Sequence, residues 1–243
     1  MRRILTLAAC ATLALSLAAA PEASAARKGG TLRVAIEGNV PHLDGTTALG
    51  LPIKFYRETA GASLVMVDEK YNIVGDLARK WVVSDEGRVI TFHLHPGAKF
   101  HDGTDMDAAA VKWNLDVINQ RVQPQWVKEL KKKNPKFKFN SSYNLYLNQI
   151  TKVEAVDKTT VRIHQKDLGK GMTLPALAGS FNRMSLVSPK AYDKDIEKFK
   201  KMPIYGGPFK IVEYKPNQIL VMERFKDYYI KDRPYLDRIE IRY

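Results

Sequence analysis

Met1-Arg2-Arg3 leads into a run of apolar or small residues from Ile4 to Ala20, and this opening constrains the sequence more than any other feature. A basic tripeptide before an apolar core has the form of a secretory signal, and Ala23-Ser24-Ala25 supplies the small-x-small pattern that signal peptidase accepts. The expectation is a signal peptide over residues 1–25, cut after Ala25, and a mature chain that folds in the periplasm. Cys10 offers a competing reading, because Leu7-Ala8-Ala9-Cys10 spells the small-residue box that precedes a lipid-modified cysteine in bacterial lipoproteins. That cut would leave only Ile4–Ala9 as the apolar core, shorter than the usual stretch of roughly 7 to 15 residues, so cleavage after Ala25 is preferred.

Cys10 is the only cysteine. After a cut at Ala25 the mature chain has no disulfide framework, thiol nucleophile or thiolate metal site, and its stability must come from packing. Hydrophobic residues at 45% and charged residues at 27% are ordinary globular usage and argue against a disordered tail, a collagen or a membrane bundle. The formal net charge is +13, and removing Arg2, Arg3 and Glu22 with the signal leaves +12. Such a balance raises nucleic acid, anionic membrane and acidic ligands as partners, and export argues against the first.

Thr31 to Ile36 alternates polar and apolar residues and reads as a strand, followed by the breaker-rich Glu37-Gly38-Asn39-Val40-Pro41-His42, where α/β proteins commonly place ligand-contacting backbone. Leu49 to Val67 carries apolar residues at helical spacing and predicts a helix. Two hairpins are predicted, Trp81–Ser84 with Val89–His95, and Ile150–Val156 with Thr160–His164. In the first, Ile90, Phe92 and Leu94 share a buried face. Thr104 to Asp107 offers cap oxygens to a helix over Ala108–Asn119, with Val111, Leu115 and Ile118 on one side. Ser188 is placed to cap a helix that starts at Pro189 and runs towards Phe199. Strands follow over Pro208–Tyr214, Ile219–Arg224 and Leu236–Tyr243.

Motifs for chemistry are sparse. The sequence has no Gly-rich phosphate loop, no Gly-x-Ser-x-Gly elbow and no His-Glu-x-x-His helix. His93, His95 and His101 with Asp102 form the one histidine concentration, and an exported metal-dependent enzyme built on them is the alternative reading. The preferred reading puts His93 and His95 on the outer face of a strand and His101-Asp102-Gly103 in a tight turn. The lysine run Lys128–Lys138 reads as a solvated surface, and Phe137 and Phe139 within it as a partly buried edge rather than a nucleic-acid platform.

Three stretches together resemble the bacterial extracellular solute-binding proteins of family 5, which feed peptide and nickel type ABC importers. They are Gly75–Trp81, Ile90–Gly103 and Ala109–Trp113; a later landmark comprises Gly207–Ile211, Tyr228-Tyr229 and Pro234–Asp237. The resemblance covers Gly30 to Tyr243. It departs at His95, where arginine is usual, and at Tyr205-Gly206, which replaces a small pair before Gly207-Pro208.

The resemblance implies an α/β fold, a periplasmic-binding-protein type II-like lobe with a mixed β-sheet and flanking helices. Residues 26–243 would form the N-terminal lobe, including an extra hairpin and helix subdomain at about 45–180, with the second lobe expected beyond the strand pattern that ends at Tyr243. It also implies a non-enzyme that works as a monomer, without cofactor or metal. Such a protein closes on a peptide or similar small solute by hinge motion and docks on membrane permease subunits. Asn39, Val40, Pro41 and His42, then Phe181, Asn182 and Arg183, then Tyr205 and Gly206 are the expected cleft wall. The asparagines would bond a ligand backbone, Phe181 and Tyr205 would pack on it, and Arg183 would meet an anion. One wall alone is expected to bind weakly.

Overall fold

The computed structural model describes residues 28–38, 40, 42–47, 51–141, 143, 147–166, 173–178 and 184–243. The predicted signal peptide and Asn39, Pro41, Phe181, Asn182 and Arg183 lie outside them. In chain order the described elements are β1 (Thr31–Ala35), α1 (Leu51–Ala60), β2 (Val65–Val67), β3 (Ile73–Gly75), β4 (Ala78–Ser84) and β5 (Val89–Leu94). Then come α2 (Ala108–Ile118), α3 (Gln125–Lys133), β6 (Ile150–Ala155), β7 (Thr160–Gln165), α4 (Thr173–Ala178), α5 (Pro189–Lys194), α6 (Ile196–Lys201), β8 (Phe209–Lys215), β9 (Ile219–Arg224) and β10 (Arg238–Arg242).

Two four-stranded sheets organise these elements. The first has the order β1-β10-β9-β8, in which β1 runs parallel to β10 and the other pairs are antiparallel. It therefore joins the first described strand to the last. The second sheet, β4-β5-β7-β6, is antiparallel throughout, and β2 with β3 forms a separate small hairpin.

Each sheet buries one face, as period-2 alternation requires. Ile90, Phe92 and Leu94 of β5 and Val161 and Ile163 of β7 pack against Val111, Leu115 and Ile118 of α2. On the other sheet Leu220, Met222, Ile239 and Ile241 pack with Ile53, Tyr56 and Ala60 of α1 and with Tyr192 and Phe199. Each such side chain is worth about 1.5–3 kcal/mol when removed from water. The predicted caps are present: Asp107 accepts from the Ala110 amide at 3.0 Å, and Ser188 accepts from the Ala191 amide at 3.3 Å.

Two helices are shorter than their spacing predicts. The helix expected over Leu49–Val67 ends at Ala60, and Val65–Val67 is a strand paired with Ile73–Gly75. Asp68 accepts the amides of Lys70 and Asn72, both at 2.8 Å, and so closes the hairpin that holds Val65–Val67 as a strand. The helix expected from Pro189 to Phe199 breaks at Asp195, whose φ of −154° is extended and whose side chain caps α6 through the Lys198 amide at 3.0 Å. An aspartate that can cap competes with an aspartate that continues a helix, and here the cap prevails.

Candidate functional site

The loop after β1 is held by side chains from several other segments. The Tyr205 hydroxyl donates to the Leu43 carbonyl at 3.0 Å and accepts from the Gly45 amide at 3.0 Å. Arg57, on the apolar stripe of α1, donates to the Gly45 carbonyl at 3.0 Å and lies 5.5 Å from the Tyr143 ring centroid. Asp44 accepts from the Thr46 amide and from the hydroxyls of Thr46 and Thr47, and Tyr192 donates to the Thr46 hydroxyl at 2.7 Å. Tyr214 donates to the Val40 carbonyl. Burial raises the Tyr205 hydroxyl pKa, with the Asp44 charge acting in the same direction, so it stays a neutral donor.

Val40 and Tyr205 are buried in the core of the first sheet, while His42 is half-buried. Tyr205 meets the loop from its underside. Gly206 lies against Met106, where any Cβ would overlap the thioether. Around this loop three buried polar atoms have no hydrogen-bond partner: His42 Nδ1, the Tyr56 hydroxyl and Arg57 Nε. Sequence reading missed Arg57 and Tyr56, yet a signal was present. An arginine in register with Ile53, Tyr56 and Ala60 is a charge on the buried stripe of a helix.

The segment Tyr205–Gly207 is bonded on both sides. The Gly207 amide donates to the Ala60 carbonyl at 2.9 Å, and the His101 amide donates to the Tyr205 carbonyl at 2.8 Å. His101 also donates from Nε2 to the Gly207 carbonyl at 2.9 Å. Its ring is buried edge-on against Phe225 at 4.9 Å, and burial pushes its pKa down to about 4, with Lys210 adding to the effect against the Gly207 bond and Asp102. Asp102 accepts from Thr104 and from the Ser188 hydroxyl at 2.7 Å; burial alone would raise its carboxyl, and these bonds bring it below the usual range.

His101 is thus occupied by its own chain. His93 lies on the outer face of β5, whereas His95, one residue past the end of that strand, has its ring 5.4 Å from that of Tyr229, a residue packed against the core. Among the described residues no group of three His, Cys, Asp or Glu side chains is placed to hold a metal ion. The stretch from Lys99 to Asp107 spends its polar atoms on its own turn and helix cap and on Lys158, Ser188 and Gly207, with Gly103 at φ +79° and Lys99 paired to Asp105.

The stretches that carry the resemblance meet in space. Tyr229 donates to Asp76 at 2.5 Å, and Asp76 also accepts the Ser63 amide at 2.7 Å. Residues 72–243 match the family model described as bacterial extracellular solute-binding proteins, family 5 middle. The chain belongs to this family. It is 31% identical over 236 residues to the glutathione-binding protein GsiB of Escherichia coli (strain K12), an alignment covering 93% of this chain and 41% of GsiB. Among solved structures it resembles the binding protein AgaA of A. tumefaciens R10 in complex with agropinic acid, at 27% identity and a TM-score of 0.69, over 88% of this chain and 39% of AgaA. The oligopeptide-binding protein AppA of Bacillus subtilis, in complex with a nonapeptide, shares the fold at 21% identity and a TM-score of 0.72, over 89% of this chain and 40% of AppA. The chain spans about two fifths of the length of each of these relatives.

Proposed function

We propose that this chain contributes one wall of the cleft in the solute-binding component of an ABC importer, a receptor that takes up a peptide or similar small solute and presents it to membrane permease subunits. The observation that carries the reading is the family match over residues 72–243, joined to 31% identity with a glutathione-binding protein. Residues 26–243 would form the N-terminal lobe of a monomeric receptor, exported and cut after Ala25. No helix among the described residues is long and apolar enough to cross a membrane.

The wall would comprise Asn39–His42 and Phe181–Arg183, whereas Tyr205 and Gly206, expected to line it, are buried behind it and do not face the solute. His42 supports this reading, since its buried Nδ1 lacks a partner and a solute donor would satisfy it. Tyr205 acts from below, fixing Leu43 and Gly45 so that the loop's backbone is presented in one conformation. Arg57 does the same through the Gly45 carbonyl.

Native and denaturing mass spectra of the naturally exported protein test the reading. The expected result is a chain beginning at Ala26 that carries a small solute lost on denaturation. Calorimetric titration with glutathione and short peptides gives a second readout. A protein that emerges without solute and gives no heat with any of them is not a peptide receptor.

A further inference from the structure

The segment from α3 to Asn140 bears a charge that neither the fold nor the proposed cleft uses. Lys128, Lys131, Lys132, Lys133, Lys136 and Lys138 fall within eleven residues, against Glu129 alone. Glu129 is already taken, since it accepts from Lys132 at 2.9 Å and from the Gln125 amide group at 2.8 Å. Among the described residues no ion pair engages Lys128, Lys131, Lys133, Lys136 or Lys138. Elsewhere basic side chains do find carboxylates, as Lys158 finds Asp105 at 2.9 Å and Arg224 finds Asp237 at 2.7 Å.

This segment is held firmly. Val127 is fully buried, and Phe137 and Phe139 stand edge-on to the Trp126 ring at 6.5 and 5.5 Å. Most of their ring surface is taken up in a small core with Val127, and outside it the segment exposes ammonium groups and amides together with Leu130 and Glu129. Beside them lies a surface groove of about 400 Å³, lined by Lys131, Lys138, Gln120, Gln123, Asn140 and Phe139. Two ammonium groups and three amides in a groove of that size match the chemistry of a phosphodiester carrying a polyol. The exposed lysines around it match the charged plane in which such headgroups stand.

We propose that this face docks on an anionic phospholipid surface, with Lys131 and Lys138 meeting a phosphate in the groove and Lys128, Lys133 and Lys136 meeting neighbouring headgroups. The contact is peripheral and reversible, because no apolar helix accompanies the charge. It confines an exported receptor to the membrane plane where its permease lies. It does not depend on which solute the cleft takes.

Flotation of the full chain with vesicles tests the proposal. Vesicles of phosphatidylcholine with phosphatidylglycerol should retain the protein at low salt, pure phosphatidylcholine should not, and raising the salt should release it. Replacing Lys128, Lys133 and Lys136 by alanine should weaken retention roughly a hundredfold, at about fivefold per lysine. Lys131→Ala with Lys138→Ala should abolish any preference for phosphatidylglycerol over another lipid of equal charge. A control replacing the exposed Lys210, Lys226 and Lys231 removes the same charge elsewhere and should weaken retention far less. Equal loss in both triple variants would reduce the effect to net charge and overturn the proposal. So would retention on duplex DNA without retention on vesicles, or saturation of the groove by glycerol phosphate free in solution. Solute titration is unaffected by these surface changes, so failure here and failure of the receptor reading are separable.

Discussion

His101 shows how one buried side chain makes stability depend on pH. Burial keeps its ring neutral, the Nε2 hydrogen bond to the Gly207 carbonyl fixes which nitrogen carries the proton, and Nδ1 is buried without a partner. The folded pKa of about 4 lies below the ordinary 6.5, so between these values the unfolded chain binds more protons than the folded one. Stability is therefore fully present above about 6.5 and falls as the pH drops towards 4, by about 3 kcal/mol in all. Asp105, held down to about 2 by Lys99 and Lys158, and Glu154, held down to about 2 by Lys152 and His164, lose their contributions as the pH falls from about 4.5 towards 2, mostly below this window. Urea midpoints at a series of pH values should show the slope, and His101→Gln should flatten it; an equal slope in the variant would assign it to other groups. Tyr229→Phe makes a second residue-scale case. It removes one donor from the buried Asp76 carboxylate and should cost about 1.5–3 kcal/mol, read as a lower urea midpoint at unchanged m.

Among elements, one close joint lies between the end of α1 and the loop at Gly207. A Cβ on Gly207 would fall on the carbonyl oxygens of Ala60 and Gly61, which are backbone and cannot rotate away. Gly207→Ala should force α1 outward, cost about 1–3 kcal/mol by overpacking, and loosen the Leu43–Gly45 loop that α1 and Tyr205 hold. Thermal unfolding reads the cost; hydrogen exchange at the Gly45 amide reads the loosening, and unchanged exchange there would show that the joint does not reach the loop. Much of this level was legible in sequence. The two hairpins and α2 follow from alternation and caps that lie within a few residues of the elements they specify. The helix end at Ala60 was not, because Gly61 packs against Ser185 and Gly207, partners far along the chain. For the same reason the loop after β1 could be named from its breakers, whereas the part Arg57 and Tyr205 play in holding Gly45 and Leu43 is assigned only by tertiary contact.

At the scale of the whole molecule, the first sheet ties the first described strand to the last, since β1 pairs with β10. The core under the second sheet and the core under the first are linked rather than merely adjacent. Leu186 donates to Ala62, Ser188 to Ile204 and Gly207 to Ala60 through backbone bonds, and Ile204 packs against both cores. Asn114 of α2 adds a side-chain clamp, donating to the Val187 carbonyl and accepting the Val187 amide, both at 2.9 Å. Units joined by buried polar bonds of this kind unfold together when the bonds cost more to expose than either core costs to melt. The three tryptophans can report on this, because Trp81 packs against the core of the second sheet, whereas Trp126 packs against those served by α3 and α5. In a chain retaining only Trp81, and in a chain retaining only Trp126, the others being phenylalanine, the urea midpoint read by that tryptophan should coincide with the midpoint read by far-UV circular dichroism on the same chain. Asn114→Ala should lower both midpoints by the same amount, corresponding to about 3 kcal/mol, because it leaves both buried backbone groups of Val187 unpaired. Two separated midpoints in the parent reporters would mean that the sheets are independent units, and the coupling drawn from Asn114, Ile204 and Gly207 would be wrong.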